Sequence, residues 1–415
     1  MKILLVHNFY GSSAPSGENT VYLSEKELLI SRGMEVIEFT RHSDELRNRG
    51  KIGAVKGAMA TPWNPFTVAG LRKLLEREQP DIMHVHNTFP LHSPAVFHAA
   101  RELPVAAALT LHNYRTFCAA GIPERNGVPC TDCLDRGSVL PALRHGCYRG
   151  SRLATLPMAA MIALHRRLGT WRHVDAFIAL TDFQRERLAA AGLPPDRMHV
   201  KPHFYADPPS PLPWPERREK AVYVGRLGDY KGVHVLIEAW RKWGKNAPAL
   251  EIIGDGPEME RLAKMAAGGW PDERIIFAGQ LPFAEAQARL ARARLLVLPS
   301  LCFEGFPMAI REAFALGVPV AGSLLGSIPR IVEDGKTGVL FRPGDADDLL
   351  ARVKALWDRA DSMAVMGDAA RAEFERCYTA DANYSRIMEI YAEARRQRRR
   401  KQRRPLTSCK QRLLS

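Results

Sequence analysis

The feature that most constrains this chain is an alternation that runs twice. Short apolar segments alternate with helical patterns from Lys2 to Lys201, stop at a proline-rich stretch and restart at Ala221. Strands buried under helices on both faces of a parallel sheet read as continuous apolar runs. Such runs predict strands at 2–7, 36–39, 82–86, 105–111, 177–180 and 198–201, then at 221–224, 250–253, 274–277, 295–298 and 318–321. In the second half, helices are expected at 233–243, 258–267, 283–291, 308–316 and 346–357. The stretch from Asp207 to Pro215 holds five prolines in nine residues, a stiff and extended connector. The reading is two doubly wound α/β domains, residues 1–206 and 217–378, joined by a linker at 207–216. A chain of 415 residues can bury two cores.

Some stretches do not alternate. The polar loop 8–19 carries Gly17, and 44–64 shows no clear period and is expected to be a mobile loop. Residues 116–152 form a turn-rich insertion with four cysteines, and a helix is expected around Pro157 to Leu168. Near the end, Tyr384, Ile387, Met388 and Tyr391 form one helical stripe, predicting a helix at 379–394. From Arg395 onward there are ten Lys or Arg and no acid, so this tail carries +10 of the net +14 and leaves +4 elsewhere. The excess belongs to an arm at 395–415, not to the folded body.

The composition, 46% hydrophobic and 25% charged, is that of a globular protein. The N-terminal apolar run, Met1 to His7, is short for a signal peptide and reads as a strand. Leu153 to Leu164 is the nearest approach to a spanning helix, but it is shorter than the roughly 20 apolar residues needed, and Pro157 interrupts it. Seven cysteines without a signal peptide point to a reducing compartment, with thiols or a metal rather than disulfides.

The stretch most suggestive of chemistry is Pro299 to Pro319. A strand leads into a loop with Glu304 and Gly305, and a helix opens at Pro307 and carries Glu312 two turns on. A strand, a glycine loop and a helix N-terminus together suit an anion. Carboxylates accept from hydroxyls, and backbone N–H groups donate to phosphoryl oxygens. A dipole partner plus a surface Glu is the plainer reading of the pair alone. The surroundings decide otherwise, because Glu304-Gly305-Phe306-Pro307 with Glu312 resembles the E-x-x-x-x-x-x-x-E motif of the glycosyltransferases of family 4. That resemblance implies the GT-B fold: two Rossmann-like domains facing across a cleft, with a C-terminal helix crossing back.

The same resemblance extends along the chain. Gly225-Arg226-Leu227 with Lys231-Gly232 is similar to the loop whose Arg and Lys neutralise a donor diphosphate. Gly254-Asp255-Gly256-Pro257 is similar to a turn beside the nucleotide base, although a tight strand-to-helix turn explains it equally. Gly326 to Pro329 is similar to a loop near the phosphates, but Arg330 stands where that pattern has Glu. Gly17-Glu18 resembles a glycine-rich loop in which Ser16 departs from the pattern; a plain surface loop is the alternative. His112-Asn113-Tyr114-Arg115 resembles a stretch found in a subgroup that builds bacterial surface polysaccharides. His84 and His86 read as structural.

The implied function is a retaining, metal-independent hexosyltransferase that takes a nucleotide-sugar donor and a lipid-linked or oligosaccharide acceptor. Catalysis would need no cofactor. Arg226 and Lys231 would hold the leaving diphosphate, Glu304 would orient the donor sugar and Glu312 the ribose, and His112 would contact the sugar from the facing domain. Gly17, Gly225, Gly254, Gly256, Gly305, Phe306 and Pro307 would complete the donor site. A GT-B enzyme that hydrolyses or epimerises a sugar nucleotide is the nearer alternative. A nucleic-acid-binding protein using the tail is the other, and it leaves the Glu pair and the Gly-Arg-Leu loop unexplained; no specific nucleic acid is expected as a partner. The arm at 395–415 is expected to hold the protein to an anionic membrane, on the cytoplasmic face of the plasma membrane. Cys130-Thr-Asp-Cys133 has the spacing by which two thiolates bind one ion, and Cys118 and Cys147 could complete a structural zinc site. Four reduced thiols, or a redox pair, are the other readings.

Overall fold

The apolar runs of the first half lie side by side as one parallel sheet in the computed structural model, which describes residues 1–12, 16–267 and 274–403. This sheet begins with β1 (Lys2–Phe9), β2 (Glu35–His42), β3 (Ile82–Asn87) and β4 (Ala106–Thr110). A small antiparallel hairpin, β5 (Glu124–Arg125) and β6 (Val128–Pro129), lies within the cysteine-bearing insertion. The sheet then resumes with β7 (Ala176–Ala179) and β8 (Met198–Val200), in the order β2-β1-β3-β4-β7-β8.

The second half repeats the plan. Its strands are β9 (Lys220–Val224), β10 (Ala249–Ile253), β11 (Ile275–Gly279), β12 (Leu295–Leu298), β13 (Val320–Ser323) and β14 (Gly338–Phe341), in the order β11-β10-β9-β12-β13-β14 and all parallel. In each sheet the first strand lies inside, so the strand order reverses beside it. Such a reversal opens a crevice at the strands' C-terminal ends. The loops after β1 and β9 therefore face the ligand-binding side of their domains.

Alternate residues of one strand serve two cores. Leu4, Val6, Met83 and Val85 pack on one side of the first sheet, with Phe177. Ile3, Leu5, Ile82 and Ile178 pack on the other side, against Ile387, Ile390 and Tyr391 of the C-terminal helix Ala380–Arg403. The end of the chain thus returns to cover the first domain.

The structure departs from the sequence reading in four places. Residues 44–64 are not a loop throughout: they hold the helices Asp44–Arg47 and Gly50–Ala60. The longer one packs through glycine, since a Cβ at Gly53 would lie 1.8 Å from the Leu46 carbonyl oxygen and one at Gly57 would lie 2.8 Å from Leu46 Cδ1. A buried face of glycine leaves no apolar period to read. The loop after β1 is also shorter than expected, because β1 runs to Phe9 and the next helix, Gly17–Ser31, already starts at Gly17. The helices Asp182–Ala190 and Ala360–Cys377 and the strand β14 had no sequence assignment.

The fourth departure concerns the basic arm, which does not begin where the last helix ends. That helix runs through the arginines to Arg403. Arg398 is buried and donates to the carbonyls of Ala100, Arg101 and Leu103. Lys401 lies 2.6 Å from Asp175 and Arg395 3.0 Å from Asp81. Three of the arm's cations are therefore tied to the first domain. Residues 404–415 lie outside the described residues. Among the described residues, no helix is long and apolar enough to cross a membrane.

Candidate active site

The loop after β9 and the loop after β12 meet through an ion pair. Lys231 Nζ lies 2.7 Å from Glu304 Oε1, with both side chains largely out of solvent. Ser300 Oγ donates to the same carboxylate oxygen at 2.8 Å, and Ser327 Oγ donates to the Glu304 backbone carbonyl at 2.8 Å. Burial alone would lower the Lys231 pKa, but the Glu304 carboxylate outweighs it and holds the ammonium well above its usual value.

Glu312 lies on the helix Met308–Ala315 and is 6% exposed. Gln287 Nε2 donates to its Oε2 at 2.9 Å, and Arg311 Nη2 to its Oε1 at 3.3 Å. Pro307 is the N-cap of this helix rather than its first residue, and it leaves the N-terminus aimed at the cleft.

Gly254 and Gly256 stand behind the β9 loop. A Cβ on Gly254 would lie 1.9 Å from the Gly225 carbonyl oxygen, and one on Gly256 would lie 2.3 Å from that of Leu227. These two glycines let one turn nest against the next, which is the structural role their sequence already suggested.

The facing wall comes from the first domain. Gly17 is the first residue of its helix, and a Cβ there would come 3.2 Å from Met308 Sδ across the cleft. Ser16, where the resembling pattern has Gly, caps that helix: its side chain accepts from Asn19 N. Asn113 Nδ2 donates to Glu18 Oε1 at 2.7 Å, and Arg115 Nη1 donates to Tyr10 Oη at 3.0 Å. Burial raises the Glu18 carboxyl above its ordinary range, with Arg115 opposing. Tyr10, Glu18, Asn113 and Arg115 were not assigned as site residues from sequence; the signal for Asn113 and Arg115 was the His112 to Arg115 stretch read only for its histidine, that for Glu18 was the Gly17-Glu18 pair read only for its glycine, and Tyr10 had none.

His112 follows β4. Its Nε2 lies 3.2 Å from His86 Nδ1, and its ring stacks on that of His203 at 5.3 Å. Burial, reinforced by His203 and His86, holds its pKa well below the usual value, so the ring is neutral near pH 7.

Between the two walls lies a cavity of about 700 Å³, lined by His112, Arg226, Lys231, Glu304 and Glu312. Gly17, Gly225, Gly305, Phe306 and Pro307 line it too. Residues more than a hundred positions apart thus converge on one space. The domains also touch at its edge, where Phe183 meets Phe303 at a centroid distance of 5.0 Å. Arg330, the residue that departs from the resembling loop, lies 3.3 Å from Glu186 of the opposite domain.

Cys118, Cys130, Cys133 and Cys147 are free and partly buried. Cys133 and Cys147 pack against Ala119, Ala142, Met158, Met161 and Ile162. Burial pushes the Cys118 thiol up to about 11 and also raises Cys133 and Cys147. Among the described residues, the one set of three ligand-type atoms within 4.8 Å of each other is not among these thiols but at Glu25, His84 and His86. There a cation is already present, because Lys201 Nζ lies 2.6 Å from Glu25 Oε2.

Residues 17–203 match the family model for the glycosyl transferase 4-like domain, and residues 208–373 match that for glycosyl transferases group 1. The structure superposes on HepE of Anabaena in complex with UDP and glucose with a TM-score of 0.63 at 17% identity, covering 94% of this chain and 99% of that one. The chain has the GT-B fold, and each of its halves matches a glycosyltransferase family model. A second GT-B match is the lipopolysaccharide outer core galactosyltransferase WaaB in its apo form, with a TM-score of 0.61 at 19% identity over 95% of this chain and 99% of that one.

Among curated proteins, WcaL of Escherichia coli, named as a colanic acid biosynthesis glycosyltransferase, is 31% identical over 217 residues, 49% of this chain and 53% of WcaL. The amylovoran biosynthesis glycosyltransferase AmsK of Erwinia amylovora is 32% identical over 178 residues, 41% of this chain and 44% of AmsK. The chain spans about half the length of these curated relatives.

Proposed function

We propose that this protein is a retaining glycosyltransferase that moves a hexosyl group from a nucleotide-sugar donor to a lipid-linked or oligosaccharide acceptor, in the biosynthesis of a cell-surface polysaccharide. The observation that carries this reading is the convergence of Arg226, Lys231, Glu304, Glu312 and His112, from both domains, on one cavity. As the glycosidic bond breaks, negative charge grows on the leaving diphosphate. Arg226 and Lys231 are the cations placed to offset it, and in this reading no metal is needed. Glu312 accepts from ribose hydroxyls and Glu304 from donor-sugar hydroxyls. His112 meets the sugar from the facing wall. The names of WcaL and AmsK, and the UDP and glucose bound to HepE, favour a sugar nucleotide and a polysaccharide product.

Calorimetry with UDP-, GDP- and ADP-sugars, followed by product analysis on lipid acceptors, tests the reading. Free sugar released with no glycoside formed would turn it into a sugar-nucleotide hydrolase. Failure of every donor to bind would remove it.

The acceptor chemistry also calls for a membrane, and the helix Gly50–Ala60 supports one. Gly53 and Gly57 face inward, and Ile52, Val55 and Met59 project outward at 68%, 59% and 73% exposure. Lys51 and Lys56 are exposed beside them. Leu153, at 80% exposure, lies on the neighbouring helix Arg152–Arg167. Apolar side chains turned outward among lysines suit an anionic lipid surface. On this reading the protein is peripheral on the cytoplasmic face, held by this patch together with the exposed part of the arm.

The four insertion cysteines are proposed to hold a structural zinc ion. The C-x-x-C spacing and the packing of Cys133 and Cys147 on one small cluster support it. Metal analysis of protein purified without chelator tests it. Negligible zinc, with four freely titratable thiols, would leave them as reduced cysteines.

A further inference from the structure

We infer that Glu25 and His86, which do not line the interdomain cavity, are positioning residues that fix the tautomer of His112 and leave its Nδ1 as a bare hydrogen-bond acceptor. The inference rests on the donor-site reading above, in which His112 meets a sugar hydroxyl.

The argument starts at Glu25, in the middle of the Gly17–Ser31 helix and 1% exposed. A carboxylate so deeply buried is costly unless it is paired. Its Oε2 is paired with Lys201 Nζ at 2.6 Å, and Asn383 Oδ1 accepts from the same ammonium at 3.3 Å. Burial would raise the carboxyl pKa, but the Lys201 ammonium outweighs it and keeps the group anionic.

The other oxygen, Oε1, faces two imidazoles, at 3.2 Å from His84 Nδ1 and 3.2 Å from His86 Nε2. His84 is already engaged on both nitrogens, by Tyr391 Oη at 2.8 Å and Thr110 Oγ1 at 2.8 Å. His86 Nε2 has no well-aligned hydrogen-bond partner, and neither has Glu25 Oε1. What couples this pair is therefore charge at short range rather than a linear hydrogen bond.

An anion beside a ring nitrogen favours the N–H there, so neutral His86 carries its proton on Nε2 and its lone pair on Nδ1. That lone pair faces His112 Nε2 at 3.2 Å. Two lone pairs do not face each other, so His112 carries its proton on Nε2 and donates to His86. His112 Nδ1 is left bare, and it is buried without a partner on the protein. A side chain in this state accepts from a sugar hydroxyl instead of donating to it. Accepting that hydrogen raises electron density on the hydroxyl oxygen, which favours the positive charge that develops on the sugar ring. No proton is transferred along the row; the Lys201 ammonium and Glu25 carboxylate only set its direction.

The test labels histidine with 15N and assigns His112 by its loss in His112→Gln. Long-range 1H–15N spectra then report which nitrogen carries the hydrogen. The expected result is a proton on Nε2 of both His86 and His112, and Nδ1 protonation of wild-type His112 overturns the inference. In Glu25→Gln the preference weakens, and kcat falls about tenfold or more with donor KM little changed. Because that variant leaves Lys201 unpaired, a second pair keeps the test open if it does not fold. His86→Asn places an amide oxygen near the position of Nδ1 and should retain most of kcat, whereas His86→Leu should lose it. Equal losses that track the fall in Tm would mean a merely structural role, and wild-type kcat in both would overturn the inference. Calorimetric UDP binding is followed throughout. If wild-type protein binds no donor, the functional reading fails while the tautomer result stands separately.

Discussion

Lys231 is one half of an ion pair whose other half lies 73 positions away, and both halves face the same cavity. In the proposed function, such a lysine exchanges part of its contact with Glu304 for the donor diphosphate. Lys231→Ala and Glu312→Ala should each lower transfer about a hundredfold, on the order of 3 kcal/mol, with unchanged circular dichroism. Near wild-type turnover in both, with a donor known to bind, would exclude these roles. Gly256 makes a different prediction. A methyl group there meets a backbone carbonyl oxygen, which cannot rotate away, so Gly256→Ala should lower stability by about 1–3 kcal/mol, read as a lower Tm. Both kinds of residue stood out in the sequence, Gly256 in a tight strand-to-helix turn and Lys231 and Glu312 through the resemblance of their motifs to a family. The partners that give them meaning, Gln287 for Glu312 and the Leu227 carbonyl for Gly256, lie on other elements.

The helix Ala380–Arg403 shows how an element can mislead when read by charge alone. Its run of cations looks like a free arm, yet Arg398 satisfies three carbonyls on the first domain, while Arg399, Arg400 and Arg403 are exposed. Arg398→Ala should therefore destabilise the first domain by about 2 kcal/mol, the scale of buried charge-assisted hydrogen bonds, in urea unfolding. Replacing Arg399, Arg400 and Arg403 by Gln should instead weaken co-sedimentation with anionic vesicles at low salt while Tm holds. For the same reason, truncation after Ala394 does not isolate membrane binding, because it removes Arg398 as well. The helix Gly50–Ala60 was invisible for the converse reason. Helix detection rests on a buried apolar stripe, and this helix buries glycine and exposes its large side chains. Ile52→Asn with Met59→Gln should reduce vesicle binding and leave the fold intact; unchanged binding would assign the surface another role.

At the scale of the whole molecule, the first domain encloses many neutral histidines. Burial holds His7 at about 3 and His84, His92 and His165 each at about 4. The unfolded chain protonates them near 6.5, so between these values it binds more protons than the native state. Stability is therefore fully present above about pH 6.5 and falls as pH drops from there toward 4. The Glu25 carboxyl, depressed in the fold, adds a loss below its ordinary range of about 4.5. Urea unfolding at several pH values should show a slope steeper than about 1.4 kcal/mol per unit, that of one proton, and a flat profile from pH 6.5 to 5 would contradict it. The sequence by itself determined the two parallel sheets, the proline-rich stretch between them and the glycine loops after β9 and β12, because apolar runs, proline and glycine act through local sterics and burial. Only the tertiary structure decided the polar layer from Lys201 through Glu25 to His112, the anchoring of Arg398, the Arg330–Glu186 contact and the cleft wall of Tyr10, Glu18 and Arg115. These join residues distant in sequence, and whether a charge is buried, paired or free depends on what the fold brings beside it.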